Sequence, residues 1–262
     1  MSLITLTKNL SIAAGLFRPA LRLSRCLRPS TRQTHLDNVR FYRSLLPSGC
    51  LCFDVGANLG KKSEAMLEAG CRVVAFEPNP LVVPELRARC GHQSRWTLVQ
   101  AGLGKNAAIL TLYARQLHGH SSFAKDWGGG ALLGAYHVPV VTLDAAVEAF
   151  GLPFYCKIDV EGWEPEVLSG LSQSVPLLSF EFHLTDREIA KTLSCLKYLA
   201  NLGATHANAI LGEGTVFCLP EWVSLDSFCQ SFPDNLKRLF ADGTTDCYGD
   251  IFVRNISLLP KK

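Results

Sequence analysis

Short apolar runs alternate along this chain with longer stretches in which apolar residues recur at helical intervals. The apolar runs contain many valine, phenylalanine and isoleucine residues, and several of them end in an acid. Strands that alternate with amphipathic helices predict an α/β fold, with helices on both faces of a mostly parallel sheet. The domain that this pattern predicts covers residues 45–262.

The clearest unit lies between residues 51 and 80. One apolar run contains Asp54, and a turn with Gly56, Asn58 and Gly60 follows it. An amphipathic stretch then leads to a second apolar run that ends in Glu77. This order is typical of a nucleotide-binding βαβ unit, in which an acid about 20 residues after the turn binds ribose hydroxyls. The unit therefore predicts a ligand that contains ribose.

The spacing of the turn favours a cationic ligand over a dinucleotide. Dinucleotide sites use the pattern G-x-G-x-x-G, whereas Gly56 and Gly60 are four residues apart and Asp54 would repel a diphosphate. An acid at this place suits the amino group and sulfonium of S-adenosylmethionine. Two plainer interpretations stay open: Asp54 caps a helix, and Glu77 is a solvated carboxylate.

More acids follow later strands. Asp159 and Glu161 come directly after an apolar run, and Glu181 and His183 end the next run. Ligands of open α/β sheets bind outside the carboxyl ends of the strands. We therefore expect these four side chains to lie in one crevice with the glycine turn.

Other segments predict a hairpin over residues 107–115, a mobile polar loop over residues 116–137 and a late strand over residues 215–219. The loop is rich in glycine and contains His118 and His120. Long loops in compact domains often cover functional sites. Isolated loop histidines are usually solvated, so we predict no metal site there.

Length and composition fit one ordinary domain. The 262 residues are 48% hydrophobic, which suffices for a full core without disulfides or metals. The ten cysteines are scattered and form no C-x-x-C pair, and several lie in apolar runs. This usage favours reduced thiols in a reducing compartment, and we predict a cytoplasmic protein.

Residues 1–44 predict a basic, helical extension. Residues 1–49 contain eight Lys or Arg and a single acid, Asp37. Three interpretations compete: a helix docked on the domain, a helix in peripheral contact with an anionic membrane through residues 1–30, and an organelle transit peptide. The segment lacks aromatics interleaved with its arginines, so we expect no nucleic-acid partner.

Three segments carry a more specific signal. They are Phe-Asp-Val-Gly-Ala-Asn-Leu-Gly at 53–60, Phe-Glu-Pro-Asn at 76–79 and Lys-Ile-Asp-Val-Glu-Gly-Trp-Glu-Pro-Glu-Val-Leu at 157–168. Together they resemble the signature motifs of the FkbM family of S-adenosylmethionine-dependent methyltransferases. The resemblance extends over residues 45–185, and the last segment is the most distinctive.

The resemblance implies a class I methyltransferase fold, with a seven-stranded sheet whose last strand is reversed. It also implies O-methylation of a hydroxyl on a sugar, glycolipid, polyketide or similar small or lipid-linked acceptor. The cofactor residues that it implies are Asp54, Gly56, Asn58, Gly60, Glu77, Asn79, Ala101 and Leu103. Lys61 and Lys62 depart from the family pattern, in which a neutral or aromatic residue often follows the turn.

Methyl transfer to an alcohol needs a general base in hydrogen-bond reach of the hydroxyl. The candidates are Asp159, Glu161 and His183, although acids at 159 and 161 also suit the start of a helix. Together with Glu181 they could instead bind Mg²⁺. We favour transfer without a metal, with Asp159 or His183 as the base.

Two other functions compete with methyl transfer. An NAD-dependent oxidoreductase or epimerase is disfavoured because the chain has neither G-x-G-x-x-G nor a recognisable Tyr-x-x-x-Lys pair. A degenerate nucleotide-binding protein that only docks a partner is the second alternative.

Overall fold

The structure, a computed structural model, describes residue 12, residues 16–234 and residues 247–260. Its helices are α1 Phe17–Leu27, α2 Pro29–Leu45, α3 Lys61–Glu68, α4 Val83–Cys90, α5 Leu143–Phe150, α6 Glu164–Leu168, α7 Asp186–Asn201 and α8 Leu225–Ser231. Its strands are β1 Leu51–Val55, β2 Arg72–Phe76, β3 Trp96–Val99, β4 Gly102–Leu103, β5 Ala108–Arg115, β6 Leu132–Val141, β7 Tyr155–Ile158, β8 Leu177–His183, β9 His206–Leu211, β10 Val223–Ser224 and β11 Tyr248–Arg254.

The main sheet has the strand order β10-β9-β11-β8-β7-β1-β2-β3. Strands β3, β2, β1, β7 and β8 pair in parallel, and β11 is antiparallel to both β8 and β9. This confirms the class I methyltransferase fold, including the reversed last strand. The sheet has eight strands rather than seven, because the two-residue β10 pairs with the edge strand β9.

A second sheet of order β4-β6-β5 follows β3. The predicted hairpin within residues 107–115 is wrong, because these residues form the single strand β5, and its antiparallel partner β6 begins after the loop. The loop itself is correspondingly shorter than predicted and spans residues 116–131. The strand predicted over residues 215–219 is also wrong, since the strand of this region is β9.

Both faces of the main sheet are buried, as is usual for parallel strands. Side chains that alternate along β1 and β7 enter two separate hydrophobic clusters: Phe53 and Cys156 lie on one face, Cys52 and Tyr155 on the other. The cysteines at 52, 71 and 156 carry free thiols buried among apolar residues.

The N-terminal helices pack on the second of these faces. Phe41 of α2 lies 5.7 Å from the ring of Phe217 and 5.8 Å from that of Phe252, between ring centroids. In α1, Phe17 is buried under the guanidinium of Arg89, which lies 5.7 Å from the ring centroid. Part of the predicted extension thus belongs to the core. Among the described helices, none is long and apolar enough to cross a bilayer.

Phe41→Ala tests this packing. We expect the unfolding free energy to fall by about 3–5 kcal/mol, because a large buried ring is removed from between two others. Arg40→Ala is the matched control, since its side chain is 67% exposed and should change stability by less than about 0.5 kcal/mol. Denaturant unfolding measures both variants, and equal effects would show that α2 is not part of the core.

Candidate active site

A cavity of about 540 Å³ lies at the carboxyl ends of the central strands. Its wall comes from the turns after β1, β2, β7 and β8, and the loop 116–131 covers it. Most of the residues that the sequence singles out line it: Gly56, Asn58, Glu77, Asn79, Ala101, Leu103, Asp159, Glu161 and His183.

Two residues predicted to bind the cofactor, Asp54 and Gly60, do not line the cavity. Asp54 is 1% exposed, and its Oδ2 accepts a hydrogen bond of 2.6 Å from Ser63 Oγ on α3. Gly60 precedes α3 as its N-cap residue and lies against Leu86. Asp54 and Gly60 therefore support the conformation of the turn from the side that faces away from the cavity.

The turn after β1 passes very close to the end of β7. Gly56 has a φ of +79°, and a Cβ atom added to it would lie 1.8 Å from the carbonyl oxygen of Asp159. The amides of Gly56 and Ala57 both donate to the carbonyl of Phe76, at 3.0 and 3.1 Å. Only glycine permits this approach, which brings the ends of β1, β2 and β7 around one space.

Glu77 holds the turn from the side of β2. Its Oε2 accepts a 2.7 Å hydrogen bond from the amide of Asn58, and its Oε1 a 2.8 Å bond from the amide of Asn79. Burial raises the pKa of Glu77 to about 7. Within the described residues, the buried Oδ1 of Asn58 has no hydrogen-bond partner, so this wall still has an acceptor for a ligand.

Lys157 and Asp159 form an ion pair at the end of β7. Lys157 Nζ lies 2.6 Å from Asp159 Oδ2, with the lysine side chain 3% exposed and that of the aspartate 32% exposed. Glu164 fixes the following turn, because its Oε1 accepts from the amides of Val160 and Gly162. The carboxylate of Asp159 therefore faces the cavity on a rigid backbone.

Glu161 lies on this turn in a strained conformation. Its φ is +58°, which is unusual for a residue with a side chain. The indole of Trp127 donates to its Oε2 at 3.0 Å, and Ser122 Oγ donates to its carbonyl at 2.8 Å. Burial, and then the charge of Asp159, raise the pKa of Glu161 to about 8.

Glu181 and His183 come from β8. His183 Nε2 lies 3.4 Å from Glu181 Oε2, and the imidazole packs between the rings of Trp127 and Tyr248. Burial and the nearby charge of Asp159 raise the pKa of Glu181 well above its usual range. Carboxylate oxygens of Asp159, Glu161 and Glu181 lie within 4.8 Å of one another, a spacing that could hold a divalent cation.

The loop 116–131 contributes residues that the sequence analysis did not predict as site residues. Ser121, Ser122, Phe123 and Trp127 all line the cavity. Trp127 is held three ways, by Glu161, by the imidazole of His183 and by the ammonium of Lys191 at 5.5 Å from its ring. An aromatic pair within a glycine-rich loop was the signal available in the sequence.

Two further polar residues that the sequence singles out, His120 and Lys62, have contacts within the protein. His120 lines the cavity, and its Nδ1 accepts from the amide of Gly129 at 3.0 Å. Lys62 does not itself line the cavity; its Nζ contacts Asn38 Oδ1 at 3.0 Å and Glu213 Oε2 at 3.2 Å, and Glu213 is one of the lining residues. The departure at Lys62 therefore ties α3 both to α2 and to Glu213 of the cavity wall.

Comparison with known proteins gives one family. Residues 54–204 match the methyltransferase FkbM domain. No curated protein is significantly similar to the chain in sequence.

Solved structures that are similar include three methyltransferases. Precorrin-6Y C5,15-methyltransferase from Geobacter metallireducens has 13% identity and a TM-score of 0.43, covering 84% of this chain and 86% of that chain. A TehB-like S-adenosylmethionine-dependent methyltransferase from Corynebacterium glutamicum has 11% identity and a TM-score of 0.43, covering 83% and 87%. The N-methyltransferase NodS from Bradyrhizobium japonicum has 10% identity and a TM-score of 0.42, covering 87% and 97%.

Gly56→Ala tests the close approach of the turn to β7. We expect a loss of about 3 kcal/mol or more in unfolding free energy, because the left-handed backbone costs about 1–2 kcal/mol and the overlap with Asp159 adds overpacking. Gly49→Ala is a matched control: its φ is +77° and nothing lies within 4 Å of an added Cβ, so only the smaller backbone cost applies. Equal losses in the two variants would contradict the close approach.

Proposed function

The chain belongs to the FkbM family of methyltransferases, and from this we propose that it is a cytoplasmic O-methyltransferase. In this proposal it transfers the methyl group of S-adenosylmethionine to a hydroxyl of a sugar, glycolipid, polyketide or similar polyhydroxyl acceptor. The observation that carries the proposal is a single cavity with two chemically different ends. One end has Glu77 and Asn58, and the other has His183 beside carboxyl groups.

The residues of the first end fit the cofactor. Glu77 is fixed by two backbone amides and still has lone pairs for ribose hydroxyls, and Asn58 Oδ1 offers an acceptor. The apolar residues Ala101 and Leu103 suit the adenine. The bound cofactor supplies a methyl group on a positively charged sulfur, which is already a reactive donor.

His183 acts as the general base in this proposal. Its imidazole is oriented by Trp127 and Tyr248, and the carboxyl of Glu181 lies next to Nε2, where it can stabilise the charge that the ring gains. His183 would take the hydroxyl proton while the methyl carbon exchanges its bond to the cofactor sulfur for a bond to the acceptor oxygen, which leaves a neutral thioether, and would later release the proton to water. Asp159 is the second candidate, although its Oδ2 is already paired with Lys157.

The loop 116–131 excludes water and positions the acceptor. Trp127 covers the carboxyl groups, and Ser122 ties the loop to the turn after β7. Carboxyl groups that line this end are good partners for several hydroxyls, which favours a polyhydroxyl acceptor over an apolar amine. Such a dry site would hold the acceptor oxygen in line with the methyl donor, and this positioning would provide most of the rate enhancement.

Glu77→Ala tests the cofactor end. We expect S-adenosylmethionine to bind more weakly by about 2–4 kcal/mol, because ribose hydroxyls lose a charge-assisted acceptor in a mostly dry site. Calorimetry on the purified chain measures this, with NAD as the comparison ligand. Unchanged affinity in a folded variant, or tighter binding of NAD, would overturn the assignment.

The pKa of Glu77 provides a control for the same experiment. Since burial raises this pKa to about 7, part of the population is protonated at neutral pH, and a cationic ligand favours the charged carboxylate. Binding should therefore release protons and strengthen from pH 6 to pH 8. Calorimetry in buffers of different ionisation enthalpy measures the number of protons released on binding. Glu77→Gln cannot ionise at this position, so we expect it to release fewer protons than the unmodified chain.

His183→Ala tests the base. Turnover should fall about 100-fold or more while affinity for S-adenosylmethionine is retained, because the imidazole acts only on the acceptor proton. His137→Ala is the control, since His137 is exposed on β6 outside the cavity. Retained turnover in His183→Ala would leave Asp159 as the base, to be tested by Asp159→Asn.

The same assay separates base catalysis from a metal. Addition of a chelator should leave turnover unchanged if His183 or Asp159 removes the proton. Loss of turnover that Mg²⁺ restores would instead make Asp159, Glu161 and Glu181 its ligands, and would reject the metal-free proposal.

Helix α1 has an exposed apolar stripe that suggests contact with a surface outside the protein. The residues at 16, 20, 23 and 27 repeat with the spacing of one helix face, and Leu16, Leu23 and Leu27 are 57%, 61% and 72% exposed. Phe17, which lies beside this stripe on the helix, is buried against the domain under the guanidinium of Arg89. An exposed apolar stripe in a segment with many arginines and almost no acids fits an anionic membrane surface, and we propose peripheral contact there.

Replacement of Leu16, Leu23 and Leu27 by serine tests this contact. We expect cosedimentation with vesicles of phosphatidylglycerol and phosphatidylcholine to fall more than about tenfold, because the buried apolar area is lost, while the melting temperature stays unchanged. Ile109→Ser, 66% exposed on β5, is the control. Absence of vesicle binding by the unmodified chain, or its persistence in the triple variant, would refute the proposal.

A further inference from the structure

Three cysteine thiols meet at the amino ends of β1 and β2, opposite to the cavity. Cys50 immediately precedes β1, Cys52 lies within it, and Cys71 immediately precedes β2. The Sγ of Cys50 is 3.7 Å from that of Cys52 and 3.7 Å from that of Cys71. All three sulfur atoms lie within 4.8 Å of one another.

The backbone of the sheet produces this arrangement. Cys50 and Cys52 are two residues apart and so point to the same face of an extended chain. Leu51 and Arg72 are partners in the β1–β2 register, which places the residues before them, Cys50 and Cys71, side by side. The three thiols therefore sit on the rigid part of the fold.

Backbone hydrogen bonds fix the two positions at the strand starts. The amide of Arg72 donates to the carbonyl of Cys50 at 2.8 Å, and the amide of Cys71 donates to the carbonyl of Met66 at 3.0 Å. A site held by such bonds needs little reorganisation when a ligand binds.

We propose that Cys50, Cys52 and Cys71 bind one Zn²⁺ or a similar thiophilic d¹⁰ cation. For a Zn–S distance of about 2.3 Å, tetrahedral geometry requires sulfur atoms about 3.8 Å apart, close to the separation of Cys50 from its two neighbours. Three thiolates are a soft donor set that selects such cations over Mg²⁺ or Ca²⁺. The fourth position is left for water.

Access and charge are consistent with this site. Cys52 and Cys71 are fully buried, whereas Cys50 is only partly buried and provides the route from solvent. Three thiolates and Zn²⁺ carry a net charge of −1. The guanidinium of Arg95, which donates to the carbonyls of Cys71 and Leu67 at 3.0 Å each, places a positive charge beside it.

Other cysteines of the chain show what simple core packing looks like. Cys90 is buried with its thiol directed at the carbonyl of Gly60 at 3.6 Å, and Cys156 is buried in the other hydrophobic cluster. Among the residues that the structure describes, neither of them lies in contact with another thiol. A buried cysteine can pack as a small apolar residue without another thiol nearby. Core packing alone therefore does not require the three sulfur atoms to lie together.

The test is metal titration of the full chain, kept reduced with a phosphine. We expect one Zn²⁺ per chain by competition with a chromogenic chelator, a thiolate charge-transfer absorption with Cd²⁺, and a melting temperature that rises with Zn²⁺ concentration. Cys50→Ser should weaken Zn²⁺ binding more than about 100-fold, since even residues that only support ligands cost 10–100-fold. Cys229→Ser, partly buried on α8, is the matched control.

Three results would overturn the proposal. They are the absence of stoichiometric Zn²⁺ binding, equal Zn²⁺ binding in Cys50→Ser and Cys229→Ser, and Zn²⁺ binding that is lost only when the acids of the cavity are replaced. Formation of a disulfide between Cys50 and Cys71 without reductant, with no metal uptake after reduction, would assign the cluster to thiol oxidation instead. Binding of S-adenosylmethionine is measured in parallel, and it should be the same in both serine variants.

Discussion

One buried ammonium group sets the charge at the active-site end of the sheet. Lys157 lies in the central strand β7 and is 2% exposed. Burial alone lowers its pKa, but Asp159, Asp250 and Asp54 outweigh burial and raise the pKa well above its usual range. A buried charge without partners costs several kcal/mol. Strands β1, β7 and β11 must therefore keep the relative positions that bring their acids around this lysine.

This constraint explains why Asp54 differs from its sequence interpretation. An acid at the end of the first strand suggested direct contact with a cationic ligand, yet the structure directs it to Ser63 and to the field of Lys157. Burial raises the pKa of Asp54, and this effect is larger than the opposite effects of the Lys157 charge and the Ser63 hydrogen bond. The acid that does reach the cavity from this unit is Glu77, because Pro78 and the turn after β2 leave its side chain at the sheet edge.

The order of the strands and most of the cavity wall could be predicted, because buried strands that end in acids are a local pattern. Pairings across long separations could not. Residues 107–115 were predicted as a hairpin by themselves, but the partner of β5 is β6, which lies beyond the loop. The late strand was misplaced for a similar reason. Asn208 within β9 exchanges hydrogen bonds with the backbone of Leu219, so the apolar residues at 215–219 lie along a strand that they do not form.

The end of the cavity that contains Asp159, Glu161 and Glu181 can change its charge. Glu161 and Glu181 lie close to Asp159, and burial together with mutual repulsion raises their pKa values, that of Glu161 to about 8. At neutral pH the carboxyl of Glu161 can therefore hold a proton, which reduces the negative charge of the cavity. In the proposed reaction a cationic donor would favour the ionised forms of these carboxyl groups. In that reaction, transfer of the methyl group to a hydroxyl would remove the positive charge and liberate a proton, which His183 would take up. The carboxyl groups would therefore attract the neutral product less strongly than the cationic donor. This difference would favour release of the product after transfer.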